Sequence, residues 1–231
     1  YLEMLGVPFS SCSSFVSTIT FDKFTCKNYL RNVDYVKCAD DVFIRQGEVT
    51  PDLAGKVVAR LGLPLFVKPT DGGSSFGVVK VKKEEDFDAA VKEAFSEGKM
   101  IIAEQFIPGR ELTDAVYFNG RELVALPVIE IVTDHEFFDY DAKYNGFSDE
   151  ICPAPISQEL TLKIQEASKK IYRRLGCSGV VRVDYILSGE DLYFLEVNTI
   201  PGMTSASLVP KMVRTAGIDI TDFLTEIIEC C

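Results

Sequence analysis

The chain has 231 residues, 47% of them hydrophobic and 26% charged, enough to bury a substantial core in one large or two smaller units. Its net charge of -11 argues against a nucleic-acid binder, where a basic stripe is expected, and against an anionic membrane surface, so any phosphate must be met by local lysines and backbone amides. A single His135 nearly excludes a histidine zinc site or a Ser-His-Asp triad, and seven cysteines without CxxC spacing point to free thiols in a reducing cytosol. No apolar run reaches the length of a membrane span, and no signal-peptide pattern opens the chain.

In chain order, Tyr1 to Leu5 reads as the tail of a helix left from a preceding domain. Asp22 is an N-cap for a helix reaching about Leu30, with Phe24, Tyr29 and Leu30 on its buried face. Lys23 then lies in the first turn, where a cation opposes the helix dipole; it suits a bound phosphate or an ordinary surface lysine, and the pattern alone favours the surface. Val36 to Ile44 is strand-like, and Thr50 to Leu61 reads as a helix with Pro51 in its first turn and Gly62 beyond its end. Leu65 to Lys68 and Phe76 to Val81 read as strands around Pro69-Thr70-Asp71-Gly72-Gly73-Ser74-Ser75. Such a loop lets backbone amides and hydroxyls approach phosphate, although Gly-Gly is also an ordinary hairpin turn. It is not a Walker A loop, since GxxxxGK[ST] is absent and the next segment is β; it suits a flap over a nucleotide, with Lys68 on the entering strand.

Glu84 to Phe95 has helical spacing of Phe87, Ala90, Val91, Ala94 and Phe95, and a strand, Met100 to Glu104, follows. Pro108-Gly109, bracketed by Glu104 and Glu111, marks a hinge into a strand from Leu112 to Phe118; such a hinge offers backbone groups to a flat base, or is a plain polar turn. Beyond a β segment, Leu123 to Val132, an irregular stretch carrying Lys143 and Tyr144 has the length of a functional lid. Ser157 caps a helix with Leu160, Ile164, Ala167, Ile171 and Leu175 on one face. Near the end, Ser207 is the expected cap of a short helix, and Thr221 to Ile228 forms the last one.

Between these helices, Gly179 to Leu208 reads as a β-hairpin and a loop. Arg182 and Asp184 alternate with Val181, Val183 and Tyr185, and Phe194, Glu196 and Asn198 alternate with Tyr193, Leu195 and Val197. If Ser188 pairs with Leu192 across a three-residue turn, Asp184 falls opposite Glu196 and Arg182 opposite Asn198; a four-residue turn would separate the acids. Facing carboxylates repel unless a cation lies between them, and the oxygen-only set of Asp184, Glu196 and Asn198 suits a hard ion such as Mg²⁺. A solvated acidic face is the alternative.

The motifs FVKPTDGGSSFGVVKV, GREL, FFDYDAKY, ICPAP, RVDYIL and LEVNTIPGMTSASLVP, in this order, resemble the D-alanine:D-alanine ligases of the ATP-grasp superfamily. That resemblance implies an α+β, ATP-grasp fold, two α+β subdomains sandwiching ATP, with the N-terminal substrate domain missing. Residues 1–20 would be a remnant and linker, 21–103 the central subdomain with the flap, and 104–231 the C-terminal subdomain with the metal and catalytic residues. It implies ATP-dependent joining of two D-alanines through a D-alanyl phosphate for peptidoglycan, in the cytoplasm, by a homodimer when full length. Lys23, Lys68 and Lys143 would reach phosphates; Glu104, Phe106, Ile107, Glu111 and Phe194 would hold adenosine; Asp184, Glu196 and Asn198 would bind Mg²⁺ or Mn²⁺, two ions in all. Arg182 and the Gly202 amide would stabilise the oxyanion, Ser207 and Leu208 would receive the second substrate's carboxylate, and Ser74 with Tyr144 would orient the first. Two departures stand out: Gln105 replaces a frequent hinge lysine, and the glutamate that binds the first substrate's amino group in this family has no counterpart. These residues alone should therefore bind ATP and turn over poorly. Another ATP-grasp carboxylate–amine ligase and a non-catalytic nucleotide-binding module are the rival readings; the AKY and PGMTS segments oppose the first and Arg182 the second.

Overall fold

The computed structural model describes residues 1–73, 76–133 and 148–231. The chain opens with a 3-10 turn, Glu3–Leu5, and two short helices, α1 (Ser14–Phe21) and α2 (Lys23–Leu30). Asp22 ends the first and caps the second, its carboxylate accepting from the Thr25 amide at 2.7 Å. Within α2, Cys26, Lys27 and Leu30 are buried, whereas Tyr29, expected inside, is 40% exposed. The pair of strands β1 (Lys37–Cys38) and β2 (Asp41–Arg45) follows.

A smaller antiparallel sheet is built from β2, β3 (Leu65–Pro69), β4 (Val79–Val81) and β5 (Met100–Gln105), in the order β2-β5-β3-β4. Helices α3 (Leu53–Leu61) and α4 (Phe87–Glu97) cover it, burying Val57, Leu61, Phe87, Ala90 and Ala94 against Leu65, Val67 and Ile101. The strand expected from Phe76 begins only at Val79, because Phe76 and Gly77 form a turn with Gly77 at positive φ.

The larger sheet runs β1-β11-β10-β6-β8-β9, with β7 beside β6; its strands are β6 (Arg110–Phe118), β7 (Leu123–Ala125), β8 (Ile129–Thr133), β9 (Ser148–Ile151), β10 (Val180–Ser188) and β11 (Asp191–Asn198). Helix α5 (Gln158–Leu175) lays Ile164, Ala167, Ile171 and Leu175 on this sheet, each Ile or Leu contributing about 1.5–3 kcal/mol by leaving water. Its cap is the Ser157 hydroxyl, which accepts from the Leu160 amide. Helices α6 (Leu208–Thr215) and α7 (Ile220–Glu229) bury Met212, Val213 and Phe223 against Ala115, Tyr117 and Ile129. The last helix is capped by Asp219, one turn ahead of its first apolar contact at Phe223. Residues 21–38, which the sequence placed with the smaller unit, pack on the larger sheet: Cys26, Leu30 and Val36 share its core, and β1 pairs in parallel with β11. Val16 and Ile19 of α1 join the same core as Val183, Tyr185 and Phe194 of the hairpin.

The hairpin β10–β11 reaches its register by an unexpected route. Its turn has two residues, Gly189 and Glu190, so Ser188 pairs with Asp191 and Tyr185 with Phe194. A bulge at Leu195 then adds one residue to β11, and Asp184 faces Glu196 while Arg182 faces Asn198. The pairing read from sequence is therefore present at the site and absent at the turn. The bulge also reverses the alternation, so Leu192, Phe194 and Val197 all join the core.

Candidate active site

The two sheets enclose a cleft of about 470 Å³. The smaller sheet supplies Phe66, Lys68 and Gln105, the flap supplies Asp71, Gly72, Gly73 and Phe76, and the larger sheet supplies Glu111, Arg182, Asp184 and Glu196. Phe106 and Ile107 line the end where the chain crosses between sheets. That crossing needs Gly109: a Cβ there would stand 2.3 Å from the Leu187 carbonyl oxygen, so only glycine lets the hinge lie on β10. Lys80 lies 4.2 Å over the ring of Phe106, which stiffens this wall.

On the hairpin, Arg182 and Asp184 form a two-pronged pair, Nε to Oδ1 at 2.9 Å and Nη2 to Oδ2 at 2.8 Å. Asp184 also accepts from the Thr113 hydroxyl at 2.5 Å and from Asn198 Nδ2 at 3.0 Å. Burial opposes the charge on Arg182, but Asp184, Glu196 and Glu111 around it keep the guanidinium firmly protonated. Lys23 enters the same space with only 14% of its side chain exposed, donating to the Gly72 carbonyl at 2.8 Å and standing 3.7 Å from Glu196. Its backbone amide donates to the Thr70 carbonyl at 2.7 Å, fastening α2 to the root of the flap. The surface position favoured by pattern alone is thus not where Lys23 lies.

A buried chain of charge joins the smaller sheet to α2. Glu104 accepts from Lys68 and, at 2.5 Å, from Lys27, whose ammonium also meets Asp41 at 2.7 Å and the Ala39 carbonyl at 2.8 Å. Arg31 closes the chain on Asp41 at 2.8 Å. Burial works against ionising Glu104, yet Lys68 and Lys27 outweigh it and hold the carboxyl down to about 2.

Of the residues singled out from sequence, Lys23, Lys68, Glu104, Phe106, Ile107, Glu111, Arg182, Asp184, Phe194 and Glu196 all line the cleft. Phe194 does so from within the core, only 2% exposed, because the Leu195 bulge turns it off the face of Glu196. Asn198 is joined to the group through Asp184. Gly202, Ser207 and Leu208 lie on the following loop and helix start; a Cβ on Gly202 would meet Ser207 Oγ at 2.8 Å. Ser207 occupies the cap position of α6, but its hydroxyl accepts from the Thr204 amide at 3.1 Å instead of capping the helix. Ser74, Lys143 and Tyr144 lie outside the described residues. Lys27, Asp41 and Thr113 were not read as site residues. Lys23, Lys27 and Arg31 do recur at i, i+4 and i+8 on one helical stripe, a signal that was there to be found.

Among the described residues no three His, Cys, Asp or Glu side chains gather as a metal cluster, and the candidate set has two acids, Asp184 and Glu196, completed by an amide. Those donors are oxygens suited to a hard divalent ion. Asn198 presents Nδ2 to Asp184, so its carbonyl oxygen is directed elsewhere and remains chemically suited to a cation.

Two α+β units closing on a cleft lined by lysines at one wall and by an Arg–Asp–Glu hairpin at the other define an ATP-grasp ligase fold. The family described as D-ala D-ala ligase C-terminus matches residues 30–229. The D-alanine–D-alanine ligases of Bacteroides fragilis and Parabacteroides distasonis are similar to the chain: the first is 49% identical over 230 residues, 99% of this chain and 70% of that protein, and the second 50% identical over 231 residues, 99% and 69%. Among solved structures, the D-alanine–D-alanine ligase of Bacillus anthracis complexed with ATP superposes with a TM-score of 0.82 at 32% identity, covering 99% of this chain and 72% of that one. The VanG D-Ala:D-Ser ligase of Enterococcus faecalis gives 0.86 at 35%, covering 99% and 66%. The chain belongs to the D-alanine–D-alanine ligase family, a family of ADP-forming carbon–nitrogen ligases. All seven cysteines are unpaired, and no helix among the described residues is long and apolar enough to cross a membrane.

Proposed function

We propose that this chain carries the nucleotide site and the ligation residues of an enzyme that joins two D-alanines with ATP, through a D-alanyl phosphate, for peptidoglycan. One observation carries the reading: Arg182, Asp184 and Glu196, with Asn198 bonded to Asp184, meet on one hairpin, and the first three line a cleft shared with Lys23 and Lys68 in a ligase-family fold. The cytoplasm suits it, since unpaired thiols persist in a reducing compartment.

In this reading adenine enters between Phe106, Ile107 and Glu104, and Glu111 takes the ribose. Lys68 and Lys23 approach the phosphates from opposite walls, and the Gly72-Gly73 flap covers them. Phosphoryl transfer is chiefly positioning and charge neutralisation, which these fixed cations provide without reorganising. Asp184, Glu196 and Asn198 would hold Mg²⁺ or Mn²⁺, which when bound offsets phosphate charge. The Arg182 guanidinium, held by Asp184, faces the carbonyl oxygen as it gains negative charge, and the Gly202 amide is its second donor. Ser207 and Leu208 receive the second D-alanine's carboxylate. Ser74 and Tyr144 orient the first, and Lys143 adds a cation over the phosphates, on the resemblance alone. Tyr144 favours an amino rather than a hydroxy acceptor.

The test is phosphate release by the intact protein with ATP, Mg²⁺ and D-alanine, with D-serine and D-lactate as competing acceptors. The expected result is D-alanine-dependent release and a D-alanyl-D-alanine product. Release that is indifferent to D-alanine would point to another carboxylate–amine ligase, and no release at all would point to a nucleotide-binding module.

A further inference from the structure

Lys27 lies behind the cleft wall and is not among the residues lining the cleft, yet it is 1% exposed and its ammonium is shared among Glu104, Asp41 and Ala39. An ammonium has three N–H donors, so these acceptors use its full capacity and fix its position. Its helix, α2, packs on the larger sheet, whereas Asp41 and Glu104 belong to the smaller one. The lysine therefore crosses from one unit to the other at the base of the cleft.

Its charge matters more than its reach. Along Arg31–Asp41–Lys27–Glu104–Lys68 three cations alternate with two carboxylates, leaving one positive charge in excess. Of this alternation only Lys68 and Glu104 line the cleft, and Lys68 is its one cation there. Without Lys27, Glu104 would be balanced by Lys68 alone, and the ammonium at the cleft wall would be spent within the protein.

We propose that Lys27 is a positioning residue for the nucleotide: by neutralising Glu104 and Asp41 from behind, it leaves the charge of Lys68 to the phosphates. The inference rests on the nucleotide reading of the cleft and adds to it a residue that touches no ligand. A lysine serving stability alone would affect every ligand of the cleft alike. A charge-setting lysine discriminates between ligands that share a base and differ in phosphate.

The experiment compares ATP and adenosine affinities of the intact protein by calorimetry in wild type, Lys27→Met, Glu104→Gln and the double variant. In Lys27→Met the ATP-to-adenosine affinity ratio should fall by about tenfold or more, as expected when one nearby charge is cancelled in a partly buried site. Adding Glu104→Gln removes the anion that captures Lys68, so the double variant should return the ratio to within about threefold of wild type. Parallel loss of both ligands in Lys27→Met, or a double variant no better than the single, overturns the inference while leaving ATP binding by the wild type intact. If Lys27→Met fails to fold, Glu104→Gln alone decides: a ratio raised above wild type supports the inference, and an unchanged ratio overturns it. A wild type that binds no ATP removes the underlying reading together with the inference.

Discussion

The two walls of the cleft carry opposite excess charge. At the smaller sheet, Lys68, with Lys27 and Arg31 reaching in from α2, outnumbers Glu104 and Asp41; on the larger-sheet wall, Asp184, Glu196 and Glu111 outnumber Arg182 and Lys23. In the proposed reading, a nucleotide triphosphate and a divalent cation would be the complementary pair for such a cleft, the anion toward one wall and the cation toward the other. The difference teaches that carboxylates in one site can have distinct work: Glu104 is locked between lysines, Asp184 grips an arginine, and Glu196, with about a third of its side chain exposed, faces Lys23.

Substitutions on the two walls should therefore fail differently. The largest effect is expected from Asp184→Asn, which loosens Arg182 and weakens a proposed ion ligand together: kcat should fall by about 10³-fold in a steady-state phosphate-release assay, with unchanged circular dichroism. Glu196→Gln should lower turnover by about 10²-fold at limiting Mg²⁺ and recover partly as the metal is raised. Equal activity of this variant and wild type at limiting metal would break the distinction between the walls. On the other wall, Lys68→Met should raise the KM for ATP by about tenfold while the Mg²⁺ concentration for half-maximal rate stays fixed at saturating ATP.

The smallest effect concerns stability, at an acid that belongs to neither wall. Asp114, on β6, is fully buried and both its carboxylate oxygens lack a hydrogen-bond partner of proper geometry. Burial raises it to about 8, only partly opposed by Ser168, the Ala115 amide and Lys169. Because the folded value lies above the ordinary one, the fold prefers the neutral acid. Stability is then lost as pH rises from about 4, where the unfolded chain ionises, to about 8, where the folded chain follows. Asp114→Asn does not titrate, so its melting temperature relative to wild type should climb across that window, by the equivalent of roughly 1 kcal/mol or more. A difference independent of pH would show that the side chain is solvated.

Much of this was legible where the signal is local. The Asp22 and Ser157 caps, the helical spacing of Ile164, Ala167 and Ile171, and the polar alternation of Arg182 and Asp184 depend on neighbours within a turn or a strand. The facing of Asp184 and Glu196 was read correctly from a turn that does not exist, because a two-residue turn and the Leu195 bulge together shift the strands as a three-residue turn would. A bulge has no composition of its own here, since Leu195 looks like any strand residue. Thr113 was beyond reach for another reason: its bond to Asp184 requires the β6–β10 register, set by residues about seventy positions apart. Lys27 was hidden by the rule that lysines face water, which fails when two carboxylates from another sheet close around the ammonium.

The central claim is that the hairpin holds a divalent ion against a nucleotide whose phosphates lie between Lys68 and Lys23. A crystal structure of the intact protein with a non-hydrolysable ATP analogue and Mn²⁺, phased on the manganese anomalous signal, tests it most directly. The account predicts manganese within coordination distance, about 2.2 Å, of oxygens from Asp184, Glu196 and Asn198, with Lys68 and Lys23 on the phosphates. Manganese elsewhere, or a nucleotide seated outside the cleft with those oxygens untouched, would contradict it.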